Sequence, residues 1–120
     1  MIASAADFGC IFGRYAGQMM EICRRIYALA DVDRIVLFGS YAKGCQSENS
    51  DIDLAVFFNC NDARLLGRYR QLARICANEE IDIQVQPFHA YELFTPCGII
   101  EEILEHGIEL HVREGECEQG

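Results

Sequence analysis

The stretch IVLFGSYAKGCQSENSDIDLAVFF, from Ile35 to Phe58, decides the fold. Its opening, RIVLFG, is short, β-branched and ended by glycine, and reads as a buried strand. The following SYAKGCQSENS is polar and glycine-containing, a connection with room for about one helical turn. DIDLAVFF then alternates over its first half and turns wholly apolar, as a central strand with one functional end would. About eleven residues part the two strands, too few for a crossover helix, so antiparallel neighbours are expected.

Working outward, the apolar residues Tyr15, Met19, Ile22, Cys23, Ile26, Tyr27 and Ala30 recur at the helical period, giving an amphipathic helix before the first strand. After the second strand, Leu65, Leu66, Tyr69, Leu72, Ala73 and Cys76 form another helical stripe, with Asn61 or Asp62 as its cap. IDIQVQP follows as a period-two strand expected to stop at Pro87. TPCGIIEEILEHG reads as a helix capped by Thr95, with Pro96 in its first turn. Ile99, Ile100, Ile103 and Leu104 are its expected buried face, and Gly107 its stop. IELHV makes a short last strand, and REGECEQG an acidic, frayed tail. The order is helix, strand, strand, helix, strand, helix, strand. The fold class is therefore α/β or α+β, a mixed β-sheet flanked by helices.

A chain of 120 residues holds one ordinary core, expected here over about residues 15–112 of a single domain spanning 1–120, with 113–120 as the tail. No apolar run reaches a membrane span, and the N-terminus lacks the pattern of a secretory signal, so a cytoplasmic protein without membrane contact is expected. Seven cysteines, odd in number and without a Cys-x-x-Cys pair, argue against zinc and a disulfide framework. Most read as reduced core-fillers. The net charge of −9 disfavours direct nucleic-acid binding. Arg64, Arg68, Arg70 and Arg74 read as a solvated helix face before they read as a partner-binding one.

Asp51 and Asp53 project from one face of their strand, while Ile52 and Leu54 enter the other. Two residues apart they stand roughly 7 Å from each other, and at an effective dielectric of about 20 they repel by roughly 2 kcal/mol. Asp82, on a face with Gln84 and Gln86, becomes a third member if its strand lies beside DIDLAVFF. Such a cluster shares protons or binds cations, and oxygen-only ligands suit magnesium. Gly39 permits close backbone approach, the Ser40 hydroxyl and nearby amides can hold phosphate oxygens, and Lys43 can neutralise phosphate charge.

LFGSYAKG followed by SDIDLAVFF resembles the signature of the DNA polymerase β-like nucleotidyltransferase superfamily, and the short chain is similar to its minimal nucleotidyltransferase (MNT) branch. The likeness runs from about Ile35 to His111, because EIDIQVQP and IIEEILEHGIEL resemble the branch's third-acid strand and its closing helix and strand. The resemblance implies a polymerase β palm-like fold, two Mg²⁺ ions on Asp51, Asp53 and Asp82, and ATP or another nucleoside triphosphate as substrate. Gly39, Ser40, Lys43 and Ser50 are the candidate nucleotide-binding residues. Asp82 is preferred over Glu79 and Glu80 on strand phase, which a register slip would undo.

The resemblance also implies a HEPN-domain toxin as partner, which MNT antitoxins inactivate by moving AMP to a tyrosine. Three functions remain open at this level: nucleotidyl transfer to a partner protein, neutralisation of a partner by contact, and the catalytic half of an aminoglycoside-type nucleotidyltransferase. Homo- or hetero-oligomers are both compatible with the exposed apolar residues expected on the helices. His89, His106 and His111 are minor candidates as bases, His89 first because its strand carries the third acid. Tyr41 is expected to pack before it stacks on a base.

Overall fold

In the computed structural model the described residues are 2–47, 50–60, 65–77, 80–95 and 97–112. The strands are β1 (Ile2–Ala3), β2 (Val32–Phe38), β3 (Ile52–Phe58), β4 (Ile83–His89) and β5 (Ile108–Leu110). The helices are α1 (Phe8–Phe12), α2 (Ala16–Tyr27), α3 (Ser40–Lys43), α4 (Leu66–Cys76) and α5 (Ile99–His106), with 3-10 turns at Ala5–Asp7, Gly13–Tyr15 and Ala90–Phe94. One five-stranded sheet runs in the order β1-β5-β2-β3-β4. β2 pairs antiparallel with β3 and β5, whereas β3–β4 and β1–β5 are parallel, so the sheet is mixed as expected.

Strand alternation sorts the core into two layers. Ile52, Leu54, Val56 and Phe58 of β3 join Ile35, Leu37 and Val85 against Met19, Ile22 and Ile26 of α2 and Leu72 of α4. On the other face Val36, Phe38, Ala55 and Phe57 meet Ile100 and Ile103 of α5. Burying each such side chain is worth roughly 1.5–3 kcal/mol. Tyr27 ties the first layer to the sheet: its hydroxyl accepts from the Ile35 amide at 3.3 Å and donates to the Leu110 carbonyl at 2.6 Å.

Several expectations are corrected. The core starts well before residue 15: Ala3, Phe8 and Phe12 are buried, and β1 extends the sheet beyond β5. An alternation of two residues is too short to signal a strand, and Phe8 and Phe12 stand one helical turn apart in a segment otherwise full of small residues. Strand β4 continues through Pro87 to His89. It is an edge strand, and because the Ile52 amide donates to the Asp82 carbonyl, alternation turns residue 87 toward the open edge, where no ladder donor is missed.

Thr95 does not cap α5; Gly98 does, and Thr95 closes the preceding 3-10 turn instead. Buried positions on α5 are Ile100 and Ile103, with Ile99 and Leu104 exposed. On α4 the buried positions are Leu72, Ile75 and Cys76, while Leu66 and Tyr69 face outward. The proposed caps Asn61 and Asp62, with Arg64, Glu79, Pro96 and the tail 113–120, lie outside the described residues. Arg68 is not merely solvated: it pairs with Asp31 at 3.4 Å and lies over the Phe58 ring.

Among the described cysteines, only Cys23 and Cys76 are the buried fillers expected of most. Burial pushes their thiols up to about 12 and about 11, while Cys10, Cys45 and Cys97 are exposed. Among the described residues no helix is long and apolar enough to cross a membrane.

Candidate active site

The site lies where β2 ends and β3 and β4 begin. Phe38 pairs with Asp53 across the antiparallel ladder, so Gly39, the next residue, passes directly against the Asp53 carboxylate. A Cβ built at Gly39 would overlap Asp53 Oδ2 and lie 3.2 Å from its Cγ. The Gly39 backbone, at φ 76° and ψ −153°, occupies a region that is essentially reserved for glycine. Both facts make glycine obligatory here. The chain then turns into α3, with the Lys43 amide donating to the Gly39 carbonyl at 3.2 Å, and leaves through Gly44 in the left-handed conformation.

Register places the acids. Ile52 pairs with Ile83 and Asp53 with Gln84, so Asp51 stands beside Asp82, one residue before each strand. Asp51, Asp53 and Asp82 therefore belong to the sheet face that carries Phe38 and α5. This is the arrangement expected from strand phase, and Glu80 falls two positions further from the strand. Asp51 and Asp53 are half-buried, and Asp82 is exposed.

Burial first, then the charges of Asp51 and Glu102, hold the Asp53 carboxyl above its ordinary range. An acid in that state gains from a cation close by. The donor set, carboxylate oxygens alone, fits a hard ion such as magnesium. Among the described residues no three His, Cys, Asp or Glu side chains already enclose a metal position. Asp53 stands on β3 and Asp51 one residue before it, while Asp82 comes one residue before the neighbouring strand β4.

Of the nucleotide-binding candidates, Ser40 opens α3 beside Gly39, and Lys43 closes it. Lys43 Nζ donates to Glu102 Oε1 at 3.0 Å, and this pairing raises the lysine pKa. Ser50 serves its own loop: its Oγ accepts from the Ser47 amide at 2.8 Å, and its amide donates back to the Ser47 carbonyl at 3.1 Å. Tyr41 is half-buried with its ring 6.1 Å from that of Phe12, a packing role. A cleft of about 220 Å³ between α4 and β4 reaches Asp82 and has Tyr69, Ala73, Cys76 and Ile83 among its lining residues.

Two of the histidines, His89 and His111, stand elsewhere. His89 ends β4, seven residues and about 23 Å of strand from Asp82. It is buried and stacked on Tyr91, with Nδ1 lacking a hydrogen-bond partner among the described residues. His106 closes α5 just before β5, whose Ile108 pairs with Leu37 near the site end of β2; His111 follows β5, an interior strand, and its ring contacts Glu109. The residue that sequence reasoning missed is Glu102, for which EILEHG offers no signal beyond a solvated helix face.

A mixed sheet that sets paired strand acids beside a Gly-Ser turn defines a nucleotidyltransferase of the polymerase β type. The family model "Polymerase beta, Nucleotidyltransferase" matches residues 21–116, and the chain belongs to that family. It is 28% identical over 81 residues to "Putative protein adenylyltransferase MJ0141" of Methanocaldococcus jannaschii, a match covering 66% of this chain and 79% of that one. The fold is shared with "a putative nucleotidyltransferase from Sulfolobus solfataricus", at TM-score 0.61 and 16% identity over 88% of this chain and 84% of that one. It is shared too with a chain of a "toxin-antitoxin with AMP-PNP", at TM-score 0.55 and 21% identity over 86% and 77%.

Proposed function

We propose that this protein transfers AMP from magnesium-bound ATP to a hydroxyl of a partner protein, as the MNT antitoxin of a pair whose toxin is a HEPN-domain protein in the cytoplasm. The observation that carries this reading is the register that sets Asp51 beside Asp82 and Gly39 against Asp53. The adenylyltransferase relative supports the reaction, and the toxin–antitoxin neighbours support the kind of partner.

Asp51 and Asp53 would hold two magnesium ions, with Asp82 on the one nearer the acceptor; bound there, the ions offset the charge of the triphosphate and of the acceptor oxygen. Gly39 brings the backbone to the phosphates, and the amides that open α3 donate to their oxygens. Lys43 supplies a positive charge one turn on. The acceptor oxygen attacks the α-phosphorus, the bond to the bridging oxygen of the β-phosphate breaks, and pyrophosphate departs. A carboxylate oxygen of Asp82, the exposed member of the set, takes the acceptor's proton. Exposed Phe94, Tyr91 and Leu104 near α5 offer apolar surface to a partner.

Purified protein incubated with Mg²⁺, α-phosphate-labelled ATP and lysate of its source tests this reading, with Asp51→Asn/Asp53→Asn as control. A protein band labelled by the wild type alone is expected. If Asp53→Asn still neutralised the partner, contact would be the mechanism. Labelling of aminoglycosides without any protein acceptor would instead favour a small-molecule enzyme.

A further inference from the structure

The link between α3 and α5 sits at the mouth of the site. Lys43 and Glu102 are 59 residues apart in sequence, yet their charges meet at 3.0 Å. Both side chains remain about 40% exposed, Lys43 at 39% and Glu102 at 41%, so solvent and ligands reach the pair. The charge of Glu102 also acts on Asp53, and Glu105, one turn along α5, adds to the negative field on Lys43. The lysine expected to meet phosphate is thus already neutralised by a carboxylate from another element.

We propose that Glu102 is a positioning residue for the nucleotide. It holds the Lys43 ammonium at α5 while the site is empty, and releases it when the phosphates of a triphosphate compete for the same charge. This rests on the reading of the site as a triphosphate site. An ammonium is a compact charge on a flexible stem, able to change partners without moving the backbone. Competition of this kind makes metal-free triphosphate a poor ligand, because Glu102 both occupies Lys43 and repels phosphate. Magnesium-loaded triphosphate, with much of its charge offset, suffers less of the repulsion.

ATP binding measured by calorimetry, in EDTA and in Mg²⁺, tests the inference on wild type, Glu102→Gln, Lys43→Gln and the double variant, each first shown by its thermal melt to be folded. An exposed pair of this type corresponds to a factor of about two to five. Glu102→Gln is therefore expected to bind metal-free ATP about two- to five-fold tighter than wild type. The gain should be clearly smaller when Lys43 is already glutamine, and smaller in Mg²⁺ than in EDTA. Glu102→Asp, which keeps the charge, should bind as wild type does. Unchanged or weaker binding by Glu102→Gln would mean that the pair merely latches α3 to α5 and would overturn the inference. So would an equal gain in both Lys43 backgrounds, which would reduce Glu102 to general repulsion. In either case the wild type still binds ATP and the functional reading stands; a wild type that binds no ATP under either condition overturns both.

Discussion

Replacing Gly39 with alanine probes the joint between the strand β2 and the acids more sharply than any other substitution. Two effects act together. The backbone at φ 76° and ψ −153° is one that side-chain-bearing residues avoid, at a cost of about 1–3 kcal/mol. The new methyl would also overlap Asp53 Oδ2, and with Cγ at 3.2 Å and Cβ at 3.4 Å the carboxylate has to rotate away from its position. For a domain of this size, about 1–3 kcal/mol lowers the melting temperature by roughly 3–15 °C. The displaced carboxylate should in addition abolish any magnesium-dependent rise in melting temperature. Gly44→Ala is the control, since Gly44 also has positive φ (73°) but its Cβ would meet no atom of the described residues within 4 Å. It should cost about 1–2 kcal/mol of left-handed strain and leave the magnesium response intact. Differential scanning calorimetry with and without Mg²⁺ reads both quantities. A Gly39→Ala protein that melts with the wild type and keeps its magnesium response would refute the reasoning.

Two further substitutions test other parts of the fold and site. Because the Asp53 carboxyl is raised in the folded state, the native protein binds the proton more tightly than the unfolded chain does. Stability therefore falls as pH rises from the ordinary value of 3.8 through the raised native value, and the cost persists above it. Asp53→Asn should accordingly melt higher than wild type at pH 7 in EDTA, converge with it in acid below about pH 3.8, and lose the stabilisation by Mg²⁺ that the wild type shows; equal melts at pH 7 would contradict the assigned shift. Phe8→Ala should destabilise by about 3–5 kcal/mol in urea unfolding, since the ring is fully buried and stands 5.4 Å from that of Phe12; a change under about 1 kcal/mol would remove the N-terminal segment from the core.

Much of the central sheet was legible because its residues have no alternative role. RIVLFG and DIDLAVFF are too apolar to lie at the surface and too closely spaced to run parallel, and their ladder is antiparallel as that requires. The phase of Asp82 was legible for the same reason: Ile81, Ile83 and Val85 need one side of the sheet, which leaves Asp82 on the other. What escaped reading depended on contacts between distant segments. Pro87 stops a central strand but is harmless at an edge, and edge position is a property of the sheet order. Ile99, Leu104, Leu66 and Tyr69 fit an apolar helical stripe, yet only Ile100 and Ile103 of α5 and Leu72, Ile75 and Cys76 of α4 enter the core. Glu102 looks like any solvent-facing glutamate until α3 brings Lys43 to it. Ser50 matched the site by position and was taken up by its own turn.

Parallel incubations with ATP labelled at the α- or at the γ-phosphate, with Mg²⁺ and the partner protein recovered by the labelling experiment, test the proposed chemistry most directly. Nucleotidyl transfer predicts label in the partner from the α-phosphate only, with one pyrophosphate released per AMP bound, and neither from Asp51→Asn/Asp53→Asn. Label from the γ-phosphate, or no label from the α-phosphate while calorimetry shows Mg·ATP bound, would contradict it.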